Sequence, residues 1–153
     1  MEWTNTPPNL IRQAIREQKL IAPTSGMAKG YIQANVVILP QTYAYDFLLF
    51  CQRNPKTCPL LDVSDVGKPS FPKYAPQGDI RNEVGLYFVY KRGKLVEKPY
   101  DISDLYDEKM VSFLIGCSFT FEHAMLEAGL PVRHIEENHN VPMYITNIPT
   151  LPA

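Results

Sequence analysis

The sequence predicts an α/β fold: a mixed β-sheet with flanking helices, joined to a small α+β subdomain containing a β-hairpin. Three observations carry this. Segments with helical apolar periodicity alternate with short apolar runs of strand length, as in Leu10–Ile15 against Val36–Leu39. Leu86–Lys91 and Lys94–Glu97 flank the dipeptide Arg92-Gly93 as the arms of a hairpin flank its turn. Prolines number 14 in 153 residues, about 9% against a usual ~5%. That many prolines exclude a long-helix bundle or coiled coil and favour short elements joined by shaped loops.

A first helix is expected from about Pro8 to Lys19, capped by Asn5 or Thr6, with Leu10, Ile11, Ala14 and Ile15 on one face. Ala22–Gly30 reads as a loop of small residues, and Tyr31–Leu39 as a strand whose apolar second half suits burial on both faces. A second helix follows from about Thr42 to Arg53 and stops at Asn54-Pro55. Next comes a stretch with five prolines between Pro55 and Pro76, interrupted by the apolar step Leu60–Val63. Beyond the hairpin, a third helix is expected from Ser103 or Asp104 to about Ile115, and a fourth from Phe119 to Ala128 with Gly129 as its stop. Strands are expected at Val132–Glu136 and Met143–Ile148. These elements divide into a main α/β layer, residues 1–54 and 99–153, and a Pro-rich loop and hairpin subdomain, residues 55–98.

Charge and composition narrow the function classes. Fifteen basic and sixteen acidic residues leave a formal charge of −1, with no global pull toward nucleic acid or anionic membrane. The N-terminal residues lack a basic and apolar leader, and the longest apolar stretch, Phe113–Phe121, is broken by Gly116, Ser118 and Thr120. Cys51, Cys58 and Cys117 form no CxxC pair, as expected for reduced thiols in a cytoplasmic protein.

Three polar clusters could carry chemistry. In Pro23–Gly30, backbone N–H groups around Thr24, Ser25 and Gly26 could cradle a carboxylate or phosphate, or the loop is only a shaped connection. In Gly116–Glu122, Ser118 or Thr120 could cap a helix and help bind an anion, while Cys117 reads better as a core thiol than as a nucleophile. The third is Arg133–Asn140. If Val132–Glu136 is a strand, His134 and Glu136 point to one side and Arg133, Ile135 and Glu137 to the other. Glu136 or Glu137 then suits general acid or base work; the alternative is a solvated charged turn. The spacing of His134, Glu136 and His139 matches no standard zinc motif, so no metal is expected. Arg53 and Arg81 are each able to clamp a substrate carboxylate, though each alone is more often structural or solvated.

The strings PTSGMAKGYIQANVVILP (Pro23–Pro40), DFLLFCQRNPKTCPLL (Asp46–Leu61) and LIGCSFTFEHAMLEAGLPVRHIEENHNVPMYITNIP (Leu114–Pro149) together resemble the hydro-lyases related to D-glutamate cyclase. In that family the chain typically continues past TNIP into a further α/β half, often through a cysteine where Thr150 stands here. The resemblance therefore describes a truncated or split member, or an N-terminal fragment, whose site would be incomplete without the other half.

The resemblance implies conversion of D-glutamate to 5-oxoproline plus water, or a related dehydration of a small amino or carboxylic acid, without a cofactor. That chemistry needs a base for the attacking amine, an acid for the departing oxygen, and donors for a tetrahedral oxyanion. Glu136, Glu137 and His134 are the acid/base candidates. Thr24, Ser25, Gly26, Ser118 and Thr120 are candidate anion donors, and Asn35 and Asn147, polar within apolar strands, could orient the substrate. The expected partners are a small acid and a second copy or partner chain supplying the missing half, with no nucleic acid or membrane. The rival is a catalytically inactive truncated module for small-molecule binding or oligomerisation.

Overall fold

A computed structural model describes residues 3–137, 139 and 141–153. In chain order the elements are α1 (Pro8–Arg16), β1 (Ala34–Pro40), α2 (Gln41–Arg53), β2 (Leu60–Val63), β3 (Val89–Lys91), β4 (Lys94–Glu97), β5 (Met110–Gly116), α3 (Phe119–Glu127) and α4 (Arg133–Glu136). The α/β class and the hairpin β3–β4 are those expected, and the three-stranded sheet has the order β1-β5-β2. Where strand directions were expected to be mixed, both ladders of this sheet are antiparallel, as is the hairpin.

The central strand, β5, lies where the sequence suggested the end of a helix. Residues 103–109 are turns and loop, and Met110–Gly116 is a strand paired with β1 from Ala34↔Gly116 to Pro40↔Met110. Its two faces explain the misreading. Val111, Phe113 and Ile115 pack beneath α2 with Val37, Leu39, Ala44, Phe47 and Cys51. Ser112 is fully buried on the other face. A strand apolar on both sides shows no two-residue alternation, and its apolar run passes for a helix.

Ser112 is fully satisfied. Its amide donates to Ser64 Oγ at 3.0 Å, its carbonyl accepts from the Ser64 amide at 2.9 Å, and its hydroxyl meets Tyr106 Oη at 3.2 Å. Tyr106 in turn donates to the Lys68 carbonyl at 2.8 Å. A buried hydroxyl without such partners would cost about 1–3 kcal/mol. These bonds lace the Pro-rich stretch onto the sheet. Asp62, at an irregularity in β2, extends the lacing by accepting from the Lys73 and Tyr74 amides at 2.9 and 3.2 Å.

A second, smaller core lies under α1. Ile11, Ala14, Ile15, Leu20 and Ala28 are buried together, with Trp3 and Met27 against them. The Ala28 and Lys29 amides donate to the Trp3 and Thr4 carbonyls at 3.1 and 2.7 Å, fixing the 22–30 loop to the N-terminal residues.

Prolines, rather than hydroxyl caps, begin the first two helices. Pro7 and Pro40 occupy the N-cap positions and no side chain caps either helix, so Asn5 and Thr6 do not take the expected role. Proline's fixed φ preorganises a helix start and its missing N–H costs nothing there. At the far end of α2, Asn54 acts as a surrogate backbone: its Nδ2 donates to the Leu151 carbonyl and its Oδ1 accepts the Leu151 amide, both at 2.8 Å.

Two further expectations are corrected. Residues 133–136 form the short helix α4 rather than a strand, with Ile135 and Glu136 amides donating to the Val132 carbonyl. Residues 143–148 form no regular element, and Met143, Tyr144, Ile145 and Ile148 are exposed. Of the polar cluster Arg133–Asn140, positions 138 and 140 lie outside the described residues.

Candidate functional site

The first and second polar clusters come together around Gln33, just before β1. Thr24 Oγ1 donates to Gln33 Oε1 at 2.7 Å, and Gln33 Nε2 donates to the Met27 carbonyl at 3.0 Å. On the main-chain side, the Gln33 amide donates to Thr120 Oγ1 at 3.1 Å, and Thr120 Oγ1 donates to the Gln33 carbonyl at 3.3 Å. Thr24 and Thr120, distant in sequence, are thus bound to one residue. Ser25 is half-buried, and Gly26 takes φ +73°, a left-handed conformation suited to glycine at this turn.

Cys117 lies against the same residue, its Sγ 3.6 Å from the Gln33 carbonyl. Burial pushes its thiol up from the ordinary range, and the nearby Glu122 charge adds to the effect. That is the behaviour of a core thiol, not of an activated nucleophile.

Ser118 does not cap α3 through its side chain. Its hydroxyl donates instead to Glu122 Oε1 at 2.7 Å, one helical turn on. The other carboxylate oxygen, Glu122 Oε2, stands 3.4 Å from His134 Nε2 on α4. Both side chains are largely removed from water, Glu122 at 8% and His134 at 15% exposure. Among the described residues His134 Nε2 makes no hydrogen bond, so this buried nitrogen faces a carboxylate without being spent on it. A buried carboxylate is costly unless hydrogen-bonded or paired, and here the Ser118 hydroxyl supplies the hydrogen bond.

The remaining site candidates are dispersed. Glu136, the last residue of α4, and Glu137, just past it, are exposed, and Glu137 Oε1 accepts from Arg133 Nε at 2.8 Å, a surface pair one turn apart. Asn35 pairs opposite Ile115 and is exposed at the start of β1. Asn147 is exposed in the irregular C-terminal segment. The two arginines considered as carboxylate clamps are occupied. Arg53 donates to the Pro152 carbonyl, and Arg81 holds Asp79 with Nε–Oδ1 of 2.8 Å and Nη2–Oδ2 of 2.6 Å. Among the described residues, no three His, Cys, Asp or Glu side chains are grouped as metal ligands, and no helix is long and apolar enough to cross a membrane.

A cleft of about 480 Å³ opens on the other side of the Thr24–Gln33 pair. Ile11, Met27, Val36, Phe71 and Leu114 give it mainly apolar walls, with Thr24, Gln33, Arg12 and Glu83 as polar groups. That is the volume and lining of a small-molecule site.

Sequence reasoning missed Glu122 and Gln33. An acid inside a helix reads as solvated. The available signal was the i, i+4 spacing of Ser118 and Glu122, which puts a hydroxyl and a carboxylate on one face.

Comparison with known proteins relates these residues to a family. The model of the D-glutamate cyclase family matches residues 111–153, the segment holding β5, α3 and α4 and with them Ser118, Glu122 and His134. A protein of Staphylococcus haemolyticus named "Putative hydro-lyase" is 68% identical over 149 residues, 97% of this chain and 57% of its own length. The chain is thus similar to the D-glutamate cyclase family in residues 111–153 and to proteins named as hydro-lyases over nearly its whole length. Its likeness reaches beyond the staphylococci: a Psychrobacter arcticus protein of the same name is 54% identical over 153 residues, all of this chain and 58% of that one. The chain thus spans somewhat more than half the length of these relatives.

Proposed function

We propose that this chain carries proton-transfer and substrate-binding elements of a hydro-lyase acting on a small amino or carboxylic acid, with cyclisation of D-glutamate to 5-oxoproline as the reaction that the family description suggests. The reading rests on one observation: Glu122, buried and held by Ser118, faces an imidazole nitrogen that is itself buried and free of hydrogen bonds among the described residues.

In that reaction the substrate amine, as its neutral form, attacks the side-chain carboxyl carbon. The C–N bond forms, a tetrahedral intermediate collapses, and the C–O bond breaks to release water. His134 accepts the amine proton and returns it to the departing oxygen, while Glu122 stabilises the imidazolium between these steps. Ser118 holds the carboxylate in register with the ring. Thr24, Ser25, Gly26 and Thr120 bind the acid or its oxyanion, and Asn35 and Asn147 orient it. Glu136 and Glu137, at the C-terminal end of the α4 helix that carries His134, are the alternative proton carriers. Self-association, or a partner chain, completes the site in this reading.

The test is 5-oxoproline formation from D-glutamate by the purified chain, with light scattering to record its oligomeric state. Glu122→Gln and His134→Asn should each lower kcat by about 10²-fold or more, the usual worth of a positioned acid or base. Full activity in both variants, with activity lost in Glu136→Gln/Glu137→Gln, would move the acid/base role to the exposed pair. A folded, monodisperse chain without turnover would favour a binding or oligomerising module.

A further inference from the structure

We infer that Arg12, fixed by the buried carboxylate of Glu83, is the carboxylate clamp of the 480 Å³ cleft, which therefore takes a small organic acid. Glu83 has only 4% of its side chain exposed; it accepts hydrogen bonds from the Asp79 amide at 3.0 Å and from Arg16 Nη2, and Arg12 Nε lies 3.2 Å from its Oε2 as an ion pair. A buried carboxylate without such partners is unstable, which holds the two arginines beside it.

Asp79 is taken up in both oxygens by Arg81, while Glu83 is shared between the two cations Arg12 and Arg16. Of the two arginines on Glu83, only Arg12 lines the cleft; Arg16 is 52% exposed and does not. Arg12 engages Glu83 through Nε, which leaves the terminal Nη groups of its planar fork for a two-point grip on a carboxylate.

The rest of the cleft suits the remainder of such a molecule. Its walls are apolar, as for a short methylene chain, and the Thr24–Gln33 hydrogen bond sets a fixed polar pair in the same lining. That the bound acid is also the substrate rests on the function proposed above; that it binds here does not.

The experiment measures binding without turnover. The purified chain is titrated by calorimetry with D-glutamate, with glutarate, and with glutaramide, which has the same carbon chain and no charge. Trp3, the single tryptophan, packs on the α1 core that borders the cleft and gives a second, fluorescence readout. Saturable binding of D-glutamate and glutarate, but not glutaramide, is expected. Arg12→Gln should weaken it about tenfold or more, and Arg16→Gln, which removes the other cation from Glu83, should change it less than about threefold. Arg12→Lys keeps a charge beside Glu83 and loses the fork, so it should fold even if Arg12→Gln does not, and still bind more weakly than the parent. Equal losses in Arg12→Gln and Arg16→Gln, parent affinity in Arg12→Lys, equal binding of glutaramide, or no saturable binding by the folded chain would each overturn the clamp. Binding intact in a chain without turnover would count against the Glu122–His134 reading alone.

Discussion

The ring of Phe47 meets that of Phe113 edge-on, with centroids 4.9 Å apart and planes at 77°. This contact joins the middle of α2 to the middle of β5, and Phe113 is completely buried. Edge-to-face pairs of this kind add about 0.5–1.5 kcal/mol to the burial of each ring. Phe113→Ala should therefore cost about 3–5 kcal/mol, since it removes the ring and leaves a cavity under the helix. Phe47→Leu should cost less, because the helix can settle on the smaller side chain. Urea denaturation followed by far-ultraviolet circular dichroism measures both; equal costs would show that the helix does not relax onto the sheet.

Two glycines separate backbone strain from crowding. Gly67 has φ +73°, and a Cβ there would lie 2.7 Å from the Glu108 carbonyl oxygen, against backbone that cannot swing away. Gly93, in the hairpin turn, has φ +75° with nothing within 4 Å of a Cβ. Gly93→Ala should cost only the left-handed penalty, about 1–2 kcal/mol. Gly67→Ala should cost clearly more, because the Gly67 amide bond to the Met110 carbonyl at 2.8 Å must shift as well. Melting temperatures of the two variants rank them, and a smaller drop for Gly67→Ala would contradict this packing.

Acid should loosen the corner where Asp79 meets Arg81. The Arg81 guanidinium holds the Asp79 carboxyl below the usual carboxylate range, against a smaller opposing effect of burial. Because the folded value lies below the unfolded one, about 3.9, the contribution is complete above that pH and is lost as pH falls through the folded value. Asp79→Asn should lower stability at pH 7 and flatten this part of the acid limb. Denaturation midpoints between pH 2 and pH 7 follow it; an unchanged acid limb in Asp79→Asn would assign the loss to other carboxylates.

The elements legible in the sequence are those whose ends are chemically marked. Pro40 and Asn54-Pro55 bracket α2, and Arg92-Gly93 marks the hairpin turn. β5 carries no such mark at its start and is apolar on both faces, so period alone could not distinguish it from a helix. Val132–Glu136 has strand-like composition but follows Gly129 and Pro131 into a single helical turn. Met143–Ile148 is rich in strand-forming residues, yet strand propensity needs a partner, and this segment pairs with none of the described strands. At the site, His134 stood out as an ionisable group near the end of a segment. Its partner Glu122 did not, because burial brought about by tertiary packing leaves no mark on a single helical acid.

The position of β5 has a consequence for synthesis. The strand that completes the sheet is the last to emerge: Ala34 must wait for Gly116 and Leu60 for Ile115. At about 5–20 residues per second the nascent β1 spends several seconds without its partner, and non-local pairing of this kind is slow to close. Through that interval the apolar run Val36–Leu39 is open to other chains, so yield of this protein should respond to elongation rate and to chaperone supply more than to its final stability.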